Sequence, residues 1–173
     1  EFDLATQRFK TLLQGNVDAI YFNEKLYIGK REEVFVYNES TGNFDLFYHL
    51  AGKNITLSCL HLDKNKNLWL GTTSNGIYCL SEDKSLSRPV TKGNITSIYE
   101  DSSNELWIGS WEEGLYRVKT DGSIENLRHN PMNTNSLCSN FVRSCCEDNS
   151  GDLWIGTFNG LNRYDRETGK FHL

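Results

Sequence analysis

Short apolar runs of four to six residues alternate with polar, glycine-containing turns along the whole chain, and none shows the 3.6-residue period of an amphipathic helix. The runs are rich in Tyr, Phe, Trp, Ile and Thr, which favour extended backbone. Gly, Asn and Asp crowd the intervals between them, where tight turns belong. The pattern predicts an all-β chain of short strands joined by short turns.

The runs are also copies of one another. A Leu-aromatic-aliphatic-Gly box occurs as Leu26-Tyr27-Ile28-Gly29, Leu68-Trp69-Leu70-Gly71, Leu106-Trp107-Ile108-Gly109 and Leu153-Trp154-Ile155-Gly156, at intervals of 42, 38 and 47 residues. An acidic residue stands five positions before the Leu in three copies (Asp63, Asp101, Asp148), whereas the first has the shorter turn Asn23-Glu24-Lys25. An Asn introduces each first strand: Asn16, Asn54, Asn94 and Asn140. In the third unit the strand-sized runs are Ile95–Glu100, Glu105–Gly109, Gly114–Lys119 and Ser123–Leu127. Four short strands in each unit of this length predict a β-propeller blade, and helical or leucine-rich repeats would show another period.

A blade is flanked by neighbours, so its strands are buried on both faces and the box need not alternate. Leu and Ile should point one way, and Tyr27, Trp69, Trp107 and Trp154 the other, into blade-to-blade core. Gly29, Gly71, Gly109 and Gly156 would remove a side chain where backbones approach or a bulge is needed. The stretch Phe2 to Phe9 matches Tyr37 to Phe44 and Tyr164 to Phe171, so the chain starts and stops at one point of the cycle. The repeats fall at about 10–44, 45–86, 87–124 and 125–171, with 1–9 as the end of a preceding blade.

Composition narrows the partners. A net charge of −5 with scattered basic residues gives no electrostatic reason to expect nucleic acid or an anionic membrane. No apolar stretch approaches the roughly 20 residues that span a bilayer. The chain lacks a signal peptide and does not begin with Met, which reads as a mature or excised segment. The cysteines (Cys59, Cys79, Cys138, Cys145, Cys146) form no Cys-x-x-Cys pair, and those inside predicted strands read as small buried hydrophobes. No metal or cofactor is expected. The turns Asp63–Asn67 and Asp148–Asp152 lack the Gly and Glu of an EF-hand and read as plain turns. Asn38, Asn54 and Asn94 stand in glycan-sequon patterns; Asn54 and Asn94 are the repeat's own Asn, for which a turn role suffices. Catalytic residues are not expected either: no nucleophile elbow, zincin or phosphate-loop motif occurs, and His49, His61, His129 and His172 show no paired role.

Strand parity selects a candidate face. The second strand of a blade returns to the side from which the first departs, so the loop after it shares a face with the linker that enters the blade. That face gathers Lys30, Arg31, Glu32, Thr73, Asn75, Trp111, Glu112, Phe158 and Asn159 with the linkers Thr11–Gly15, Leu86–Gly93 and Arg128–Ser139. Trp111, lone and in a loop, is either a binding residue or a cap on the blade edge. The ligand-binding candidates are Trp111, Glu112, Phe158, Asn159, Arg31 and Asn75, since aromatic plates beside polar groups can stack on and hydrogen-bond a sugar. Trp111→Ala should then abolish binding without lowering the melting temperature.

The run Asp148 to Phe171, with Leu-Trp-Ile-Gly-Thr, Gly-Leu-x-x-Tyr-Asp and Thr-Gly-x-Phe, resembles the two-component regulator propeller repeat. The resemblance covers essentially the whole chain and implies part of a roughly seven-bladed ring in the periplasmic sensor region of a hybrid histidine kinase of gut Bacteroidetes. That family senses polysaccharide breakdown products, which implies an oligosaccharide or other small ligand and a parent anchored in the inner membrane. Only about four blades are present here, with no kinase, receiver or DNA-binding segment. An open array would contact neighbouring blades or domains of its parent and could pair as a homodimer. The alternatives are a non-catalytic interaction scaffold serving secretion or the outer membrane and, last, a propeller enzyme.

Overall fold

A computed structural model describes residues 2–3, 8–9, 17–50, 55–87 and 89–173, with residues 2–3, 8–9, 22 and 23 described as backbone only. Among them every regular element is a strand. β1 (Phe2–Asp3) and β2 (Arg8–Phe9) form a small hairpin with Phe2 opposite Phe9. The first sheet follows as β3 (Ala19–Asn23), β4 (Lys25–Lys30), β5 (Glu33–Asn38) and β6 (Asn43–His49). The second comprises β7 (Leu57–Leu62), β8 (Leu68–Thr72) and β9 (Ile77–Leu80). The third holds β10 (Asn94–Glu100), β11 (Leu106–Trp111), β12 (Leu115–Val118) and β13 (Ile124–Leu127). β14 (Val142–Glu147), β15 (Leu153–Thr157), β16 (Gly160–Asp165) and β17 (Lys170–His172) make the fourth. Each sheet is an antiparallel meander in chain order, and consecutive sheets pack through their first strands. The architecture is a β-propeller array.

One unit departs from the expected four strands. After β9 the fourth strand shrinks to a single bridge, Leu80 with Leu86. Pro89 has no N–H to give, and Ser87 replaces regular pairing: its N–H donates to Cys79 O (2.8 Å) while its hydroxyl accepts from Cys79 N (2.9 Å). The linker Thr11–Gly15, the stretch Leu4–Gln7, Asn16, Asn54 and Arg88 lie outside the described residues.

The two sides of each box enter different layers. Leu68 and Leu70 pack with Tyr27, Val34, Leu57 and Leu60 between the first two sheets. Trp69 turns the other way, to Ile95, Leu106 and Ile108 of the third sheet. Trp107 in turn meets Val142, Leu153 and Ile155 of the fourth. Each layer thus joins the aromatic of one sheet to the aliphatics of the next. Full burial of one such side chain contributes about 2 kcal/mol, and Leu70, Trp107 and Ile108 are fully buried.

The box glycines make room for this approach. A Cβ on Gly71 would meet Cys59 Sγ and lie 2.9 Å from Ile95 Cγ2, and one on Gly109 would lie 2.5 Å from Ser97 Oγ and 2.8 Å from Val142 Cγ1. The crowding comes from side chains of the same sheet's first strand and of the next sheet, not from backbone as the pattern suggested. The bulge also belongs to the partner strand: register shifts fall at Leu57/Cys59, Ile95/Ser97 and Val142/Ser144.

The acidic residue before each Trp box orients the aromatic. The indole N–H groups of Trp69, Trp107 and Trp154 donate to Asp63, Asp101 and Asp148 at 2.8, 2.7 and 2.8 Å. The second carboxylate oxygen closes the turn by accepting from the backbone N–H of Asn67, Glu105 and Asp152. Tyr27 has no indole to hold, and its turn has no Asp. Asp101 is reached as well by Arg166 of the fourth sheet (2.8 Å), which also binds Glu147 (3.0 Å). Burial raises the Asp101 pKa, but hydrogen bonds from Trp107, Glu105 and Arg166 outweigh it and hold the carboxyl below its ordinary value.

A folded-state pKa below the unfolded value means that Asp101 stabilises the fold above the unfolded carboxylate pKa of about 4 and that this is lost as pH falls through the lower folded value. Asp101→Ala should cost about 3 kcal/mol in urea unfolding at pH 7, and its deficit in melting temperature against wild type should shrink below pH 4. The same change at exposed Asp148 should cost less.

Candidate functional site

At each bulge one residue of the first strand is left without a partner: Ser58, Thr96 and Arg143. In two sheets it ties the array together. Ser58 Oγ donates to Ile95 O (2.6 Å) and Thr96 Oγ1 to Val142 O (2.7 Å), each reaching the next sheet. In the fourth sheet, the last among the described residues, the position is Arg143. Its guanidinium lies back over the Trp111 ring, 5.1 Å from the centroid.

Trp111 departs from the sequence reading in two respects. It ends β11, paired with Asn94, and is not in a loop. Nor is it lone. A bridge to Phe141 fastens it across the joint to the fourth sheet, and its ring meets Phe141 edge-on at 5.2 Å and Phe158 at 6.3 Å. Half-buried by these contacts, Trp111 contributes packing, so its replacement by Ala would lower stability as well. Phe158, at 71% exposed, is the freer plate. A cleft of about 400 Å³ opens beside Trp111, lined by Ser58, Asn94, Ile95, Thr96, Trp111 and Arg143.

The structure brings Trp111 and Phe158 together and disperses the other candidates. Glu112 follows Trp111 at a φ of 96°, and its carbonyl accepts from Arg128, which also pairs with Glu113. Asn159 is exposed after Phe158, its backbone N–H donating to Thr157 Oγ1. Asn75 is held by a bridge to Gly93 on the second sheet. Arg31 lines a separate cleft with Asp18, Lys30 and Glu33, its N–H donating to Asp18 Oδ2. A larger cleft of about 470 Å³ opens between the first two sheets over Tyr27 and Phe47. Lys84 is occupied there, 4.9 Å over the Phe47 ring, and Lys66 pairs with Glu82. Phe141 and Arg143 were not among the sequence candidates. Aligning the bulge column would have exposed Arg143 as the residue that breaks a run of hydroxyls.

The histidines are less isolated than the sequence suggested. His61 is mostly buried, edge-on to Tyr21 and 3.7 Å from Glu100 of the next sheet; burial lowers its pKa against the opposing pull of Glu100. His49 and His172 lie near Glu32 and Asp165. Burial pushes the Cys59 and Cys145 thiols up to about 12 and Cys79 to about 11. Among the described residues of this face no nucleophile is hydrogen-bonded to a base.

Three segments, residues 49–74, 89–112 and 136–159, match the family described as the two component regulator propeller. Those three segments carry the two component regulator propeller repeat. No match is found among curated protein sequences. Among solved structures, the extracellular domain of a proposed one component system from B. thetaiotaomicron superposes with a TM-score of 0.76 at 21% identity, over 92% of this chain and 24% of that one. That of a proposed hybrid two component system from the same organism gives 0.75 at 24%, over 94% and 23%. Virginiamycin B lyase from Staphylococcus aureus, an inactive variant with quinupristin, gives 0.69 at 17%, over 90% and 54%. At these identities the likeness is one of fold. The propeller-repeat chain spans about a quarter of the length of the two B. thetaiotaomicron domains.

In the native chain at pH 8, iodoacetamide should modify exposed Cys146 and spare Cys59 and Cys145 until denaturant is added, as read by peptide mass spectrometry. Rapid native labelling of Cys59 would contradict the packing against Gly71.

Proposed function

We propose that this chain is a non-catalytic, ligand-sensing segment of an extracytoplasmic propeller in a hybrid two-component sensor, responding to an oligosaccharide. One observation carries the reading: Trp111, Phe141 and Phe158 form an aromatic cluster across the joint between the third and fourth sheets, beside an open cleft. Aromatic plates of this kind stack on sugar rings, and a cleft of this volume suits one or two of them. A ligand seated there touches two blades at once, so binding has a means of biasing how they pack. The repeat family and the extracellular domains of similar fold support an extracytoplasmic address and a two-component partner. Relay to a kinase through the inner membrane belongs to the same proposal.

A second reading, a protein-interaction scaffold, rests on the outward faces of the end sheets, where Ile20 and Leu46 at one end and Leu161 at the other are more than half exposed. Such faces pair with other sheets or with a second copy. The lyase of similar fold lends no enzymatic role, since a shared fold does not carry chemistry.

A thermal-shift screen against plant- and host-derived oligosaccharides separates the two. Sensing predicts a reproducible rise with one sugar class, lost in Phe158→Ala while the melting temperature without ligand stays within about a degree of wild type, as for other exposed surface changes. A flat screen on folded protein, with a specific protein recovered by pull-down, would favour the scaffold.

A further inference from the structure

The cleft beside Trp111 is rich in hydrogen-bond donors and carries no carboxylate in its lining, in a chain whose net charge is −5. Arg143 is exposed and has neither an ion pair nor a hydrogen bond among the described residues; its guanidinium lies over the Trp111 ring. The indole N–H of Trp111 also lacks an acceptor among the described residues, unlike those of Trp69, Trp107 and Trp154, each of which is bound to an Asp. The Asn94 amide is likewise unused. The hydroxyls of Ser58 and Thr96 have given their protons to backbone carbonyls and retain only acceptor capacity. The open donors among the described residues are therefore a guanidinium, an indole and an amide, on residues that line one cleft.

We infer that this cleft takes an anionic saccharide, the Arg143 guanidinium pairing with a carboxylate or sulfate on the sugar while Trp111 and Phe158 contact its rings. The inference rests on the sensing reading above and names its ligand class. Contact with the Trp111 face positions the guanidinium and leaves its N–H edge available for a bidentate bond. A neutral sugar would satisfy the aromatic plates but leave the cation unpaired.

Calorimetric titration of the chain with galactotriose, trigalacturonate, 6-sulfated galactotriose and tetra-aspartate tests this. The expected result is binding of the uronate or the sulfated sugar at least roughly tenfold tighter than the neutral trisaccharide. That advantage should disappear in Arg143→Gln, whose melting temperature should match wild type, and should shrink as salt is raised. Whichever charged sugar binds more tightly identifies carboxylate or sulfate. Equal binding of galactotriose, unchanged in Arg143→Gln, would overturn the anionic assignment and leave saccharide sensing standing. Binding of tetra-aspartate alone, or of no probe, would overturn both.

Discussion

An aromatic side chain that crosses from one sheet into the aliphatic face of the next is what the whole array depends on. A lone antiparallel sheet with apolar residues on both faces leaves them open to water and to association with other sheets. Stacking sheets solves this only if each presents complementary surfaces on its two sides. The box supplies them: Leu and Ile on one side, Trp or Tyr on the other. The Asp that receives the indole N–H fixes the direction of that crossing, and the box glycine lets the sheets close to contact. Three elements within nine residues of sequence thus define one interface.

That arrangement assigns the core layers to the box, and the chain differs most between repeats on the loop face. The bulges next to the box glycines turn Ser58 and Thr96 toward the following sheet, where they form single cross-sheet bonds. In the fourth sheet the same geometry directs Arg143 to Trp111, and the bridge from Trp111 to Phe141 gathers three aromatic rings over one joint. A surface made of repeated parts acquires a distinct site where two of those parts are exchanged.

Much of this was legible in the sequence. The box, its spacing and the acidic turn announce the fold because they are backbone and packing requirements that every unit must meet, and the strands fall close to where the pattern places them. The weakened fourth strand after Leu80 was hidden, since a proline two residues beyond a serine does not reveal that the hydroxyl will take over a backbone role. At the site, Trp111 and Phe158 stood out as aromatics in a polar setting. Their contact could not be foreseen, because it depends on the crossing of two sheets. Arg31 sits at the equivalent position of another unit and Asn75 in the corresponding loop of a third, and both were grouped with them by parity, yet they lie at other places on the face. The partners of Trp111 belong to a neighbouring repeat, and a repeat read one unit at a time does not show what lies across the seam.

The tryptophan indole N–H signals in a nitrogen–proton correlation spectrum offer the most direct test. Four are expected from the side chains: those of Trp69, Trp107 and Trp154 hydrogen-bonded to aspartates, and that of Trp111 open to solvent. The account predicts that the Trp111 signal exchanges fastest with water and that an oligosaccharide which binds moves it far more than it moves the other three. A binding sugar that shifts Trp69 or Trp107 and leaves Trp111 unmoved would contradict the site. An indole of Trp107 that exchanges as fast as that of Trp111 would contradict the hydrogen bond on which the stacking rests.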